Sequence, residues 1–425
     1  MKAKQFLSFI ICLVLTVLMI HGASVFLARR GSHEKNADFY DRESSHQILF
    51  LGSSRMVQDI APMELWNTYG FTSYNMANYG QYLPVDYWVL RNALDHQTPE
   101  LVVMDTTMID ADNYYYEMFA PQFHEMFDSM PWSRNKFLAL KDILPPEKRM
   151  EFMWPFSLYH TRWSSVDKTF FSPYSASAEK GAHLDANDLT DSASFTPFDP
   201  PVLLPLSSKN NANTVGKQYL FQSIELCKEN NIDVLLVSLP SCPDREEQAW
   251  QNSIRDIAGQ FNVLYHNMYL EQDCINYQTD LIDEGHLNSS GTRKATNALG
   301  QFISAHYPLA DLRESPVADK WNKDYAEYCA FKIQWMKQQT SLDSYLITLS
   351  QEPFFVEITV REESVLNDTV IQHLLENILD YTIQTGPTSA ESHIMDISVK
   401  NVSSGELIDA VSVASDGTIL RQIAF

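Results

Sequence analysis

Two short stretches, far apart in the sequence, contain residue types that could form an activated nucleophile. The stretch ILFLGSSRM, residues 48–56, places Ser53 and Ser54 directly after an apolar run and a glycine. About 230 residues later, the stretch TDLIDEGHLN places Asp283 three residues before His286. A serine hydroxyl becomes a good nucleophile when an imidazole takes its proton and a carboxylate fixes the tautomer of that imidazole. The sequence therefore offers the parts of a Ser-His-Asp nucleophile.

The positions of these stretches carry more information than their spacing. A chain with 54 acidic residues and 12 histidines contains Asp-x-x-His spacings by chance. Ser54, however, follows the first predicted strand, and His286 precedes a helix predicted to start near Ser290. In open parallel sheets, the loops at the carboxyl ends of the strands form the binding sites. We therefore expect the two stretches to meet at that edge of a sheet.

Strand-like runs alternate with helical stretches through much of the chain. Each run is short, rich in β-branched or large apolar residues and bounded by turn residues, as buried parallel strands are. Helical stretches such as VDYWVLRNALDHQ and GKQYLFQSIELCKENN lie between the runs. The predicted strands span residues 47–52, 72–77, 100–105, 232–240 and 261–267. This alternation predicts a three-layer α/β/α domain with a parallel sheet, which we place at residues 45–307.

Residues 106–215 interrupt the alternation. They contain an aromatic-rich stretch that is followed by a polar stretch rich in Ser and Asp. A connection of this length inside an α/β domain is usually a functional insertion or a lid. A structural subdomain that covers the sheet is the alternative, and the sequence leaves both open.

The sequence changes character again from about Pro308. Residues 308–343 predict a linker with an amphipathic helix, and residues 344–425 predict a small α+β domain. Within that domain we predict strands over 344–350 and 354–362, a helix over 369–382 and three further strands. We find no catalytic cluster in this part of the sequence.

The N-terminal region predicts a membrane anchor. Residues 6–28 form an apolar run, which is about long enough to cross a hydrocarbon core of ~30 Å as a helix. A signal peptide has a shorter apolar core and a small-residue cleavage site. Here the basic pair Arg29-Arg30 follows the run directly. We therefore expect residues 1–30 to be a retained single-pass anchor, with a cleaved leader as the alternative.

The orientation of the anchor follows from the layout of the chain more than from its charges. Basic residues flank both ends of the apolar run, so the positive-inside rule is nearly balanced. A large domain after a lone N-terminal span is the usual layout of an exported, tethered protein. We expect the C-terminal region to be extracellular, and a cytoplasmic domain on a reverse anchor is the alternative.

Composition argues against several partners and cofactors. The 31 Lys and Arg residues against 54 Asp and Glu residues give a net charge of −23, which repels phosphate backbones. We expect no nucleic-acid partner. Five cysteines are too few for a disulfide framework in a chain of this length, so buried free thiols are expected. No Cys-x-x-Cys or His-rich spacing indicates a metal site.

Three blocks of the sequence resemble the conserved blocks of the SGNH/GDSL hydrolases. They are Gly52-Ser53-Ser54 after the first strand, the segment YNMANYGQ at residues 74–81 and the segment DEGHLN at residues 283–288. They occur in the order and the strand–loop contexts of that superfamily. The resemblance covers the predicted α/β domain apart from its insertion, and it implies a flavodoxin-like fold.

The resemblance also implies a role for individual residues. Ser54 would be the nucleophile, with Ser53 where the family more often has Asp. His286 would be the base, and Asp283 its orienting partner. The backbone amides of Ser54 and Gly80 would form part of an oxyanion hole. No metal or organic cofactor is implied.

The segment after the third predicted strand departs from the family pattern. The family has G-x-N-D after the third strand, whereas this chain has VVMDTTMID, residues 102–110. Asp105, Thr106 or Thr107 could occupy that space, but a carboxylate cannot replace an amide donor. G-S-S, a membrane tether and this altered block together resemble the exported envelope branches of the superfamily. Those branches include the proteins of teichoic acid D-alanylation and of polysaccharide O-acetylation.

The sequence therefore favours a membrane-anchored esterase or O-acyltransferase that acts on acyl esters of cell-envelope carbohydrate polymers. The main alternative is a catalytically weak SGNH-like binding or assembly subunit that partners a membrane acyltransferase. A phospholipid or thioester hydrolase is a third possibility.

Four further residues are candidate substrate contacts. Arg55, next to Ser54, could bind a phosphate or carboxylate, or it could cap a neighbouring loop. His160, Arg162 and Trp163 lie in the insertion, where an aromatic surface with a cation could contact a sugar or an anion. Packing of Arg against aromatic rings is the alternative for these three.

Overall fold

The protein consists of an N-terminal helix, a parallel α/β domain and a C-terminal region built on a second sheet. The structure is a computed structural model that describes residues 3–28, 39–40, 45–112, 122–124, 126–128, 130–153, 156–166, 179–182, 192–351, 354–387 and 393–421. Parts of the predicted insertion, the pair Arg29-Arg30 and residues 422–425 lie outside the described residues.

The helices and strands follow one another in the order that the sequence predicts for most of the chain. The helices are α1 (Ala3–Ala28), α2 (Ser54–Asp59), α3 (Pro62–Tyr69), α4 (Leu83–Ala93), α5 (Arg134–Ile143), α6 (Arg149–Met153), α7 (Phe156–Tyr159), α8 (Val215–Glu229), α9 (Arg245–Phe261), α10 (Ser289–His306), α11 (Ala318–Gln338), α12 (Leu342–Leu349) and α13 (Thr369–Glu376). Short 3₁₀ helices cover Thr107–Asp110, His160–Ser165, Met268–Leu270 and Glu363–Asn367.

Five parallel strands form the first sheet. These strands are β1 (Ile48–Leu51), β2 (Ser73–Asn75), β3 (Leu101–Asp105), β4 (Asp233–Ser238) and β5 (Leu264–Asn267). Their order in the sheet is β2-β1-β3-β4-β5, which is the flavodoxin-like order. In the central register, Ile48 pairs with Ser73 on one side and with Leu101 on the other. The five predicted strands and the flavodoxin-like fold are confirmed.

Alternate side chains of each strand pack into two separate apolar cores, because successive residues of a strand point to opposite faces. Leu49 and Leu51 of β1 join α4, α8 and α9 in one core. Ile48 and Phe50 join α2, α3 and α10 in the other. Helices therefore cover both faces of the sheet, and the three-layer α/β/α architecture is confirmed.

The described part of the insertion extends one helical layer. The indole Nε1 of Trp88 on α4 donates to Asp142 Oδ2 on α5 at 2.8 Å. Ser133 Oγ, at the start of α5, donates to Asn92 Oδ1 at 2.8 Å. Ala139 and Leu140 of α5 are buried in the same core as α4. This segment thus packs as part of the domain, as the structural alternative expects.

The C-terminal region begins with α11, which packs on α3 of the α/β domain. The rings of Trp321 and Trp66 lie 5.3 Å apart, and Lys332 Nζ donates to the buried Glu64 Oε1 at 2.9 Å. The second sheet has the order β10-β9-β8-β6-β7, with only β6 and β7 parallel. Its strands are β6 (Phe354–Val360), β7 (Tyr381–Thr385), β8 (His393–Asn401), β9 (Leu407–Ala414) and β10 (Ile419–Arg421).

Two secondary-structure predictions in this region are wrong. Residues 344–350, predicted as a strand, form most of α12, which buries Leu342, Tyr345, Leu346 and Leu349 at helical spacing. The Ser341 side chain caps this helix by accepting the N–H of Ser344. The helix predicted over 369–382 ends at Glu376, and Tyr381–Thr385 instead extends the second sheet as β7.

α1 is the one described helix that is long and apolar enough to cross a membrane. Its apolar part runs from Lys4 to Ser24 and is not buried against the rest of the protein. A membrane anchor and a signal sequence both have this length and composition, and the helix is close to the N-terminus.

All five cysteines are described and none forms a disulfide. Only Cys227 is buried, whereas Cys242, Cys274 and Cys329 are partly exposed and Cys12 is exposed on α1. The expectation that the thiols are buried is correct for Cys227 and wrong for the other four. Cys242 and Cys274 lie in loops and pack against the core that contains Ile48 and Phe50, and Cys329 lies on α11.

Candidate active site

Ser54, His286 and Asp283 meet at the carboxyl edge of the parallel sheet. Ser54 Oγ lies 2.8 Å from His286 Nε2. On the opposite side of the ring, Nδ1 lies 2.9 Å from each carboxylate oxygen of Asp283. A proton on Nδ1 satisfies the carboxylate and leaves Nε2 free to accept the hydroxyl proton. This arrangement is the one that activates a serine for nucleophilic attack.

Ser54 is presented by a sharp turn between β1 and α2. Gly52 has φ +150°, and a Cβ at this residue would lie 2.5 Å from Asp105 Cβ, so no side chain fits here. Ser53 faces away from the imidazole, since its Oγ donates to the buried Asp105 Oδ2 at 3.0 Å. Ser54 is the first residue of α2, where a backbone N–H has no carbonyl partner within its own helix.

The loop that carries Asp283 and His286 is held by its own backbone. Asp283 Oδ1 accepts the N–H groups of Gly285 at 2.8 Å and of His286 at 2.9 Å. The Asp-x-x-His spacing therefore produces a tight turn whose backbone N–H groups hold the carboxylate in place beside the imidazole. Asn288 ends the loop and caps α10 by accepting the N–H of Gly291 at 3.1 Å.

The charges of the site favour the imidazolium that forms during proton transfer. Burial disfavours the charged form of His286, but its hydrogen bond to Asp283 and its electrostatic interactions with the Asp59 and Asp283 carboxyl groups outweigh burial and raise the pKa of the imidazole. Burial raises the pKa of the Asp283 carboxyl, but hydrogen bonding to His286 outweighs burial, and the net effect lowers that pKa. Asp283 is therefore ionised at neutral pH.

Asp59 is a site residue that the sequence reasoning missed. It is fully buried, and its Oδ1 accepts the N–H of Leu287 at 2.9 Å. Burial raises the pKa of its carboxyl to about 8. Asp59 ends the helix that begins with Ser54, so it joins the serine helix to the histidine loop. Its position five residues after Ser54 was the available signal in the sequence.

Arg55 is engaged within the protein. Its guanidinium forms an ion pair with Glu247 of α9, and Nη1 also donates to Ser241 Oγ at 3.3 Å. A Cβ on Gly285 would lie 3.2 Å from Arg55 Nε, so the arginine packs under the histidine loop. Glu247 was not singled out from the sequence. Contact of Arg55 with an anionic substrate stays a prediction.

The segment that contains Asn78 and Gly80 and the residues at the end of β3 also lie beside the serine turn. Asn78 N–H donates to Gly52 O at 3.2 Å, which brings the turn of Gly80, φ +64°, next to Ser54. Asp105 Oδ1 accepts the N–H of Thr107 at 3.0 Å and its hydroxyl at 2.7 Å. Asp105 thus acts only as an acceptor. An oxyanion hole from the Ser54 and Gly80 amides stays a prediction.

The remaining candidate contacts lie beside the N-terminal helix. His160, Arg162 and Trp163 belong to one exposed 3₁₀ helix. Arg162 Nη1 donates to Leu27 O of α1 at 3.5 Å, and its guanidinium lies 4.7 Å from the Tyr159 ring centroid. A role of these three residues in substrate binding stays untested. Among the described residues, no group of His, Cys, Asp or Glu side chains is arranged to hold a metal ion.

Comparison with known proteins gives only distant similarity. No protein-family model matches the chain, and no curated protein matches it. A proposed acylhydrolase from Bacteroides fragilis is 12% identical, with a TM-score of 0.31, over 66% of this chain and 97% of that chain. A GDSL-like lipase from Bacteroides thetaiotaomicron is 12% identical, with a TM-score of 0.30, over 66% of this chain and 98% of that chain. Similarity at this level assigns neither a family nor an activity.

Proposed function

We propose that this chain is a serine enzyme of the SGNH type that cleaves or transfers ester-linked acyl groups. The observation that carries the proposal is the continuous hydrogen-bonded path from Ser54 Oγ through both nitrogens of His286 to Asp283. The turn at Gly52 supports it, because that turn presents Ser54 at the edge of the sheet where α/β proteins bind their substrates.

The chemistry follows from this geometry. Ser54 Oγ attacks the acyl carbonyl while His286 Nε2 takes the hydroxyl proton, and Asp283 stabilises the imidazolium. The same proton is then given to the departing alcohol, which leaves an acyl group on Ser54. Water or a sugar hydroxyl, deprotonated by His286, next attacks the acyl-enzyme and frees Ser54. Each backbone donor aimed at the transient oxyanion contributes about 3 kcal/mol in comparable enzymes.

The proposed setting is the outer face of a membrane, with acyl esters of a cell-envelope carbohydrate polymer as the substrate. Two features support this setting: the apolar α1 precedes the α/β domain, and the sequence blocks resemble those of the envelope branches. A membrane acyltransferase is the protein partner that this setting suggests, since it would supply acyl groups on the same surface. In this proposal α1 is retained as a single-pass anchor.

A fluorophosphonate probe tests the proposal, because it reacts only with an activated serine. The full chain in detergent micelles is treated with the probe, and the adduct is located by mass spectrometry. We expect the adduct on Ser54, with loss of labelling in Ser54→Ala and His286→Ala. Ser53→Ala is the matched control: its hydroxyl pairs with Asp105 instead of the imidazole, so this variant should still be labelled.

The outcomes separate the hypotheses. Labelling that persists in Ser54→Ala would identify a different nucleophile and contradict the assignment. No labelling in a protein that circular dichroism shows to be folded would favour the catalytically weak binding subunit. The acceptor-only Asp105, where the family has an amide donor, is the observation that favours this second function.

A further inference from the structure

The last part of residues 130–163, which we call the aromatic segment, packs against the end of the apolar N-terminal helix through α7 and the 3₁₀ helix His160–Ser165. Leu27 of α1 and Tyr159 of α7 are buried together, and Phe26 and Val166 pack against them. Arg162 adds the hydrogen bond to Leu27 O described above. The C-terminal end of the aromatic segment therefore lies where α1 would leave a bilayer.

The aromatic segment exposes large apolar side chains that a water-facing surface rarely keeps. Of the tryptophans that the structure describes, only Trp132 and Trp163 have more than a third of their surface exposed. The exposed large apolar residues of the segment are Trp132 (51%), Phe137 (51%), Met150 (66%), Leu158 (42%) and Trp163 (72%). Tryptophan is enriched where protein crosses from hydrocarbon to headgroups, because its ring is apolar and its N–H is polar.

The charge of the aromatic segment is opposite to that of the whole chain. It has six Lys and Arg residues against three Asp and Glu residues, a net charge of +3, in a chain whose net charge is −23. Lys136 is buried, so the exposed and partly exposed charges sum to +2. Arg134 and Lys141 are exposed on α5. A basic surface on an acidic protein is attracted to anionic headgroups, and long basic side chains can reach them while apolar neighbours stay in the interface.

We propose that the aromatic segment is a second membrane contact, which rests on the anionic lipid surface that α1 crosses. This inference depends on the part of the proposed function that makes α1 a retained anchor. A single helix fixes only how far the α/β domain is from the bilayer. A second contact beside it also fixes which side of the domain faces the lipid, and so the direction in which Ser54 opens. Arg162 and Trp163 then belong to a lipid-binding surface.

Quenching by brominated lipid tests the proposal. The full chain is reconstituted in vesicles of phosphatidylcholine, alone or mixed equally with phosphatidylglycerol, with and without bromine on the acyl chains. Bromine quenches only tryptophans that touch the lipid. We expect Trp163→Phe to lose about half of the lipid-dependent quenching, because Trp132 is the other exposed tryptophan of the described residues. Trp335→Phe, a partly buried position on α11, should leave this quenching unchanged.

Charge variants test the preference for anionic lipid. Arg134→Glu combined with Lys141→Glu should remove most of the extra quenching that phosphatidylglycerol causes. Lys320→Glu combined with Lys323→Glu makes the same change on exposed positions of α11 and should have no effect. Equal loss in both double variants would mean that only net charge matters, which overturns the proposal.

Three further results would overturn the proposal. Quenching that is the same in Trp163→Phe and in the unaltered protein would show that the segment does not touch lipid. Quenching that requires a second membrane protein would assign the surface to a protein partner. Cleavage after α1 in cells, with release of the protein from the membrane, would remove the anchor on which the inference depends. Fluorophosphonate labelling of Ser54 does not depend on any of these results, so it tests the serine chemistry separately.

Discussion

Asp59 accepts the backbone N–H of Leu287 at 2.9 Å, which ties the end of the serine helix to the residue that follows His286. This contact spans 228 residues of sequence and is completely buried. The donor is a backbone N–H, so the hydrogen bond does not depend on which side chain is at position 287. The separation between Ser54 and His286 is thus fixed partly by this buried contact, which involves neither reacting side chain.

Asp59→Asn is expected to flatten the pH dependence of stability. Burial raises the pKa of Asp59 to about 8, while the unfolded carboxyl has a pKa near 3.8. The folded state therefore holds a proton that the unfolded state releases, and this carboxyl makes stability fall as pH rises from about 4 to about 8. Asparagine keeps an acceptor for Leu287 N–H but does not titrate. Thermal unfolding between about pH 4 and 6, below the range of histidine, should show a shallower decline in the variant.

Asp86→Asn is the matched comparison for this measurement. Burial raises the pKa of Asp86 to about 8 as well, and its Oδ1 accepts from Gln81 Nε2 at 2.6 Å. The decline in stability should become shallower by a similar amount in either single variant. An unchanged slope in Asp59→Asn, together with a changed slope in Asp86→Asn, would contradict the buried and protonated state of Asp59.

If the proposed serine chemistry holds, Asp283→Asn is expected to lower kcat on an activated ester by about 10³- to 10⁴-fold, as loss of the orienting carboxylate does in known serine proteases. The hydrogen bond to Asp283 helps to raise the pKa of His286. Its loss should move the acid limb of the kcat/KM profile to lower pH, because neutral imidazole then persists further into acid. A pH profile with a p-nitrophenyl ester measures both effects. A profile that keeps its acid limb in place would mean that Asp283 does not act through His286.

Gly52→Ala is expected to destabilise the protein by about 1–3 kcal/mol, because this φ is strained for any side chain. The added Cβ would also lie 2.5 Å from Asp105 Cβ. Gly259→Ala is the control, since nothing lies within 4 Å of its added Cβ and it sits inside α9. This variant should be neutral or more stable by up to about 1 kcal/mol. Urea unfolding of both variants measures the difference, and equal values would argue against the tight turn.

Asn377→Ala is expected to loosen the histidine loop from the C-terminal side. Asn377 Nδ2 donates to the buried Asp280 Oδ1 at 3.1 Å, and Lys294 Nζ bridges Asp280 Oδ2 and Asn377 Oδ1. Removing the amide should cost about 1–3 kcal/mol, because it leaves a buried carboxylate with fewer donors. Hydrogen exchange should then speed up in residues 276–288.

The control for the Asn377 prediction is Lys400→Ala, which removes a partly exposed pair with Glu357 within the second sheet. Its effect on stability should stay below about 1 kcal/mol. Exchange of residues 276–288 should not change in this variant. Faster exchange there in both variants would mean that the C-terminal region affects the loop through global stability alone.

Local patterns in the sequence were enough to predict the parallel sheet and the Ser54, Asp283 and His286 constellation. Buried strands have continuous apolar runs, and the loops at their carboxyl ends meet by topology. The strand prediction for residues 344–350 was wrong. The β-branched Ile347 and Thr348 favour a strand, but both are buried within a helix that Ser341 caps. Short apolar stretches do not separate these two cases.

Contacts between distant parts of the chain could not be predicted from the sequence. Glu247, which pairs with Arg55, lies 192 residues further along the chain and belongs to a different helix. Nothing in the sequence distinguished Asp59 from the other 53 acidic residues, because its contact with Leu287 exists only in the folded protein. Local propensity has no information about which loops share an edge with a given helix, so these partners appear only with the tertiary structure.

The ion pair between Lys332 and Glu64 has a consequence for the order in which the protein is made. Glu64 leaves the ribosome 268 residues before Lys332, yet both side chains are almost fully buried in the finished protein. A buried carboxylate without its cation is strongly destabilising. Both partners must therefore have left the ribosome before α3 and α11 pack together, so this contact forms only after Lys332 has been synthesised.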